Sequence, residues 1–502
     1  MQCSPLHKSI TALKTEDYRN MTTRGKWVPL LTACLLLPTA AIATMPGDYR
    51  LPALGGGYSS YANQQEIQLG RAWARRFRHY VTEWQDPITQ RYTEQLVGRL
   101  LPYAQVEGIR PLVLLVEDDQ LNAFAVPGGV IGVNGGLFLE APDQDMLASV
   151  LAHELGHLSQ RHYARQQDNA GREMLPTLAG MLAGVVMAAR GNGDAGIATM
   201  AGSQAAFMGR QLAYSRQYEQ EADRVGLTAL AKAGLDPQGM PRMFDMLQHQ
   251  SSLQGNTPPE FLMTHPLTAS RISDTRLRAT QYPSVPSTRT LEYDMVRARA
   301  LLHFLPDDPA LLRTKLQQDK ASPDALRYLD ALVMAKQHRT KEALQQLDTL
   351  SRQHDALLLI SASAADIALQ ANQPAEAFSR AQLLLRRAPD YTPAQLIAIR
   401  AALRLSPDNA YQSAVHFTQQ QPENAEGWQL LAQAAHASGH DDVSQRAMVE
   451  FRQLTGDLRG ALALYDRMER AARAQGTNSE LDALTALKER LDGYLRDDRE
   501  AF

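Results

Sequence analysis

Leu147-Ala-Ser-Val-Leu-Ala-His153-Glu154-Leu-Gly-His157-Leu-Ser-Gln-Arg-His162 sets the reading of this chain. It holds H-E-x-x-H within an apolar run poor in helix breakers, which predicts a helix over 144–165. Residues four apart share a helix face, so His153 and His157 can present both imidazoles to one ion. Zinc accepts neutral imidazole nitrogen, and two His plus one carboxylate leave its fourth position for water. Glu154, beside the first ligand, can take a proton from that water, whose pKa the metal lowers. The pattern points to attack on a peptide carbonyl. The competing reading is a plain helix with one buried and one surface His.

The missing ligand should be a carboxylate on a second helix. Downstream lies Tyr218-Glu219-Gln220-Glu221-Ala222-Asp223-Arg224, where Glu219 and Asp223 are again four apart. Glu219 is the expected zinc ligand, and Asp223 would hydrogen-bond a ligand His from behind. Glu221 competes for the ligand role, but it points roughly 160° away from Asp223 around the helix, at about 100° per residue.

These residues together carry a resemblance. His153-Glu154-x-x-His157 followed by Glu219-x-x-x-Asp223 resembles the M48 family of zinc metallopeptidases. Asn122-Ala-Phe-Ala-Val-Pro-Gly-Gly129, Gln220-Glu-Ala-Asp-Arg224, Thr264-His265-Pro266-Leu267 and a helical-repeat tail are similar to a periplasmic branch of that family. The resemblance runs from about Leu51 to the C-terminus and implies one Zn2+ per subunit. It also implies that His265 can reach the metal as a fourth ligand and act as a switch, closed on the zinc and open off it. A loop His hydrogen-bonding locally is the other reading; a His just before Pro is in either case biased towards extended backbone. Substrates implied by the branch are misassembled or stalled outer-membrane β-barrel proteins, with the tail contacting the outer-membrane assembly machinery.

Two further residues are candidates near the site. Asn122 begins a glycine-rich strand pair over 122–133, either an ordinary hairpin or, as the resemblance implies, an exposed edge that holds an extended substrate by backbone pairing; Asn122 is either a backbone clamp or a turn cap. Arg271 would help stabilise an oxyanion, hold the His265 loop, or simply sit on a helix surface.

Composition bounds the rest. At 502 residues, two domains are the default. Net charge is −3 with no long basic run and no aromatic–basic interleaving, which argues against a nucleic-acid partner. The two cysteines, Cys3 and Cys34, both precede the expected mature start, which excludes disulfides and thiol chemistry from the mature chain. Met21-Thr-Thr-Arg24-Gly-Lys26, the apolar Trp27–Ile42 and small-x-small Ala41-Ile42-Ala43 read as a secretory signal cleaved after Ala43, hence a periplasmic protein. A membrane anchor and a lipoprotein box ending at Cys34 are the alternatives, and the natural start is Met1 or Met21. Leu178–Ala189 is strongly apolar but about a dozen residues long, against about twenty for a span. It reads as a buried or lid-like helix with Ile197–Met208 as its return, and peripheral membrane association stays open.

Helical spacing is expected over Gln65–His79, Ile88–Leu101, Leu212–Ala233 and Pro241–Gln250, and a strand over Pro111–Val116. Pro283–Ser287 reads as a linker. Beyond it, Ala331, Ala365, Ala398 and Ala432 recur at intervals of 34, 33 and 34, and Ala343, Ala377 and Ala410 at 34 and 33. Pro389 and Pro422 lie 33 apart. That period is the tetratricopeptide signature, which builds a solenoid with a concave binding face. The expected architecture is mainly α: an α+β zincin-type metalloprotease domain with a small β-sheet over 44–285, then an all-α tetratricopeptide-repeat solenoid over 286–502, behind a leader over 1–43. Two functions fit. One is a zinc endopeptidase with a docking tail. The other is a chaperone or scaffold of outer-membrane protein assembly whose zinc is silenced by His265.

Overall fold

The computed structural model describes residues 60–106, 108–160, 162, 216–253, 259–283, 285, 290–475 and 478–501. The expected leader with its cleavage site after Ala43, and the apolar pair Leu178–Ala189 and Ile197–Met208, lie outside these residues. Among the described residues no helix is long and apolar enough to cross a membrane. Residues from Tyr58 onward form one compact unit.

The unit is mainly helical around a three-stranded sheet. Helix α1 (Ser60–Tyr80) and helix α2 (Pro87–Leu100) come first. Asp86 caps α2 by accepting the Ile88 amide, and Pro87 supplies a first residue that needs no partner for its nitrogen. Strands β1 (Leu112–Val116), β2 (Ala123–Val126) and β3 (Val130–Asn134) follow. The predicted hairpin is β2–β3, antiparallel with Phe124 opposite Gly132. Its turn needs Gly128 and Gly129, at φ of 80° and 81°, where other residues are strained. Strand β1 pairs parallel to β3, so the order is β1-β3-β2 and β2 is an edge of the sheet.

Helix α3 (Gly135–Glu140) leads into α4 (Gln144–Ser159), which carries H-E-x-x-H and packs on β2. Asp143 caps α4 through the Met146 amide. Of the 144–165 expected as helix, 144–159 is one continuous helix and His162 is again helical, and 161 and 163–165 lie outside the described residues. Gln160 takes φ −82° and ψ 0°, a turn whose amide still donates to the Gly156 carbonyl at 3.1 Å, and the His162 ring faces His157. Helix α5 spans 216–232 and stops at Gly234, at φ 69°. Helices α6 (Gly239–Leu253), α7 (Glu260–Thr264) and α8 (Ala269–Ala279) complete the front of the unit.

After α9 (Leu291–Phe304) and α10 (Pro309–Gln318) the chain becomes a regular series of paired helices. First helices begin at Pro323, Leu358, Thr392 and Ala425 and hold Ala331, Ala365, Ala398 and Ala432. Second helices begin at Thr340, Pro374, Pro407 and Asp441, and the first three hold Ala343, Ala377 and Ala410. All seven alanines are buried, because a methyl group is what lets neighbouring helices approach there. The series ends with α19 (Leu458–Gln475) and α20 (Asn478–Ala501), labelled by their place in chain order.

The tail is fastened to the front at both ends. One hydrophobic cluster runs from Trp84 to Ala401 without a break. Buried Arg297 donates to the Phe138 and Leu139 carbonyls, 3.0 Å each, at the end of α3. Arg299 pairs with the Asp86 cap at 2.7 and 2.9 Å and also reaches Tyr328 and Ser363. At the far end, Arg75 of α1 pairs with Asp498 at 2.8 Å and lies over the Tyr494 ring. The array therefore starts on α2 and α3 and finishes on α1.

Candidate metal centre

Four side chains from three segments meet at one buried point. His153 Nε2 is 3.0 Å from His157 Nε2 and 3.3 Å from Glu219 Oε2. His157 Nε2 is 3.3 Å from Glu219 Oε1. His265 Nδ1 is 3.2 Å from Glu219 and 3.3 Å from His153 Nε2. All four donor atoms lie within 4.8 Å of one another.

These separations can be tested against a real ion. Zinc bonds of about 2.0–2.1 Å at tetrahedral angles put neighbouring donors about 3.3–3.4 Å apart. The contacts match that edge within a few tenths of an ångström, and three nitrogens plus one carboxylate oxygen are a donor set zinc accepts. The residues fit the ion.

Convergence depends on how α4 and α5 cross. Gly156, between the two α4 histidines, faces Ala222; a Cβ there would stand 2.7 Å from the Ala222 oxygen. The missing side chain lets α5 lie close enough for Glu219 to reach both imidazoles. His265 arrives differently. It ends α7 in an extended conformation, φ −120° and ψ 75°, before Pro266, and stacks on Phe261 at 4.7 Å.

Asp223 and Arg271 stand behind the cluster. His153 Nδ1 lies 2.9 Å from Asp223 Oδ1. Arg271, only 1% exposed, donates to both Asp223 oxygens at 2.8 Å and reaches Glu219 Oε2 at 2.8 Å. The nitrogen that reaches Glu219 also donates to the Pro266 carbonyl at 2.9 Å. Arg271 is thus buried, and it ties α5 to the His265 segment. Asn122 is not one of the donors; its amide donates to Glu260 at 3.0 Å, at the start of α7.

The electrostatics follow from burial and these pairs. Burial alone would lower His153, but Asp223 and Glu219 overcome it and push it up to about 9. His157, which burial dominates, falls to about 3. Burial would raise Glu219, but His265 and His157 hold it well below the usual carboxylate range. Asp223 is likewise lowered against burial by Arg271. Glu154 is 1% exposed and raised by burial, which outweighs His265 and His153. Its Oε1 stands 3.4 Å from His265 Nε2. His265 therefore contributes one ring nitrogen to the donor cluster and turns the other to Glu154.

Two more polar residues stand beside the site: His162, which had no role in the sequence reading, and Glu221, weighed from the sequence only as a competing ligand. His162 lies 2.9 Å from His157, and Glu221 lies 3.2 Å from His162. On a straight helix His162 would sit about 140° around from His157, at about 100° per residue, so periodicity hides it. The turn at Gln160 brings it back. The only sequence signal was a third His five residues past the motif, with an acid two past Glu219.

Comparison with known proteins bears on the same segments. The pattern of Peptidase family M48 matches residues 87–279, which span α2 to α8 and every residue of the cluster. The chain is 30% identical over 478 residues to the beta-barrel assembly-enhancing protease of Yersinia pestis, covering 93% of this chain and 98% of that one. It is 29% identical over 483 residues to the protein of that name from Escherichia coli, strain K12, with the same coverage. The mitochondrial metalloendopeptidase OMA1 of Arabidopsis thaliana is 34% identical over 163 residues, 32% of this chain and 30% of that one.

Proposed function

The chain belongs to peptidase family M48, and from that premise we propose that it is a periplasmic zinc endopeptidase of outer-membrane protein quality control. It removes misassembled or stalled outer-membrane β-barrel proteins. Its helical tail, a tetratricopeptide array, assists their assembly by contacting the assembly machinery. The observation that carries the catalytic part is the convergence of His153, His157, Glu219 and His265, donor atoms all within 4.8 Å of one another, with Glu154 against them. The names of relatives that share nearly the whole chain support the substrate class.

Zinc held by His153, His157 and Glu219 supplies a Lewis acid that polarises the scissile carbonyl and acidifies water. Glu154 takes a proton from the attacking water and returns it to the leaving amine. Its burial suits both halves of that task, because a raised carboxyl accepts and releases a proton nearer neutral pH. Asp223 fixes the orientation of His153, and Arg271 keeps Asp223 and Glu219 ionised and in place. Strand β2, last in the sheet order and packed beside α4, would offer backbone pairing to an extended substrate.

His265 occupies the fourth donor position and covers Glu154 at once, so this arrangement is the closed form, and the α7–His265 segment must move before cleavage. The same observation favours the second reading, a chaperone with its zinc silenced. One experiment separates them. Purified full-length chain is offered a urea-unfolded outer-membrane β-barrel protein, and fragments are followed on gels. Glu154→Gln should keep zinc and lose about 10²–10⁴-fold in cleavage, while His265→Ala should cleave faster than wild type. Cleavage by Glu154→Gln at the wild-type rate removes the peptidase mechanism. Full support of barrel assembly in cells by that variant makes the chaperone reading the physiological one.

A further inference from the structure

We propose that His162 and Glu221 form a relay that holds His157 in the tautomer and orientation a zinc ion requires. The proposal rests on the zinc reading of the cluster and extends it to two residues outside the donor set.

His157 meets the other donors through Nε2, at 3.0 Å from His153 Nε2 and 3.3 Å from Glu219 Oε1. A metal at that point uses the Nε2 lone pair, so the ring proton sits on Nδ1. The neighbour of Nδ1 is His162 Nδ1, at 2.9 Å. Two N–H groups cannot face each other, so His162 accepts through Nδ1 and carries its own proton on Nε2. That nitrogen lies 3.2 Å from Glu221 Oε2, a carboxylate that only accepts. Every proton in the chain His157 to His162 to Glu221 then has one place, and the lone pair left over points at the ion.

The relay is built as a fixed object. His162 is 4% exposed and its ring stacks on Tyr218 at 4.5 Å and 17°. Glu221 Oε1 accepts from Gln217 at 2.8 Å, which orients the carboxylate. Tyr218, Glu219 and Glu221 are neighbours on α5, so the carboxylate ligand and the relay move together. The two imidazole ligands are thereby supported in different ways. His153 has its carboxylate directly, Asp223 at 2.9 Å. His157 has one only through the ring of His162. Partners of this kind raise the basicity of a ligand His and fix its ring, and losing them costs about 10–100-fold in metal affinity.

The test measures zinc affinity of the full-length chain by competition with a chromophoric chelator. The visible spectrum of the cobalt-loaded protein is a second readout. His162→Phe keeps a ring against Tyr218 but removes the acceptor, and should bind zinc about 10–100-fold more weakly. His162→Asn returns an acceptor near the old Nδ1 and should recover most of that loss. Glu221→Gln should lie between. Altered cobalt absorption in His162→Phe, restored in His162→Asn, supports the relay. Wild-type affinity in His162→Phe overturns it, and so does His162→Asn being as weak as the Phe variant, since volume rather than the acceptor would then matter. If His162→Phe does not fold, wild-type affinity in Glu221→Gln overturns it. A wild-type chain that takes up no zinc defeats the metal reading itself. Tight wild-type binding with an unaffected His162→Phe defeats the relay alone.

Discussion

Replacing Gly156 by Ala should push the metal helix and its carboxylate partner apart. The added Cβ would stand 2.7 Å from the Ala222 oxygen and 2.8 Å from its Cα, where ordinary contact begins at 3.4 Å. These are backbone atoms, so no side chain can rotate out of the way. Helix α5 must retreat by about 3.4 − 2.7 = 0.7 Å, whereas zinc–ligand distances tolerate only about 0.2 Å. Ala222 is three residues from Glu219 and one from Asp223, so both carboxylates move with it. A Cβ at Gly226 would likewise stand 3.2 Å from the Ala152 and His153 backbone, so the two helices lie close at this second point as well. We expect Gly156→Ala to bind zinc at least about 10-fold more weakly and to lose about 1–3 kcal/mol to overpacking. The assays are chelator competition and urea unfolding of the chelated chain. Gly98→Ala is the control: a Cβ there meets nothing within 4 Å, so it should gain about 0.5–1 kcal/mol. Wild-type zinc affinity and stability in Gly156→Ala would refute the view that helix approach sets the site.

Other outcomes follow from buried charge. Arg271→Met leaves the Asp223 and Glu219 carboxylates without their cation, so chelated protein should lose about 3–5 kcal/mol and zinc should restore part of it; equal urea midpoints with and without Arg271 would rule this out. Asp145 is fully buried at the start of α4, and burial raises it to about 6, with Asp143 and Asp236 nearby and the Asp236 amide partly opposing. A folded-state pKa above the unfolded 3.8 means stability is greatest below about pH 4 and falls as pH rises through 6. Asp145→Asn should therefore be the more stable protein at pH 8, by up to about 3 kcal/mol for a shift of roughly two units, and should show no advantage at pH 3.5. Thermal melts across that range decide it.

Much of the local structure could be read from the residues alone. The spacing of His153 and His157 is a helical turn, and a helical turn is determined by neighbouring residues. The same holds for the choice of Glu219 over Glu221 as the residue sharing a face with Asp223. Alanines at a constant interval mark where helices must touch, so the paired helices of the tail are written in its periodicity. The hairpin at Gly128 and Gly129 is equally local, because only the φ of those two residues is at issue.

What the tertiary structure decided is which distant groups meet. Nothing in the sequence says that β1 pairs parallel to β3, or that the tail closes back on α1 through Arg75 and Asp498. Arg271 had three open readings and proved to be a buried cation between two carboxylates and the His265 segment. Asn122 found its partner, Glu260, 138 residues away. Glu221 failed as a face-mate of Asp223, yet it meets His162, which helical periodicity aims elsewhere until the turn at Gln160. Periodicity reports the direction of a side chain from its own axis. The crossing of two axes is set by packing of the whole core, and only that crossing brings donors from separate helices to one point.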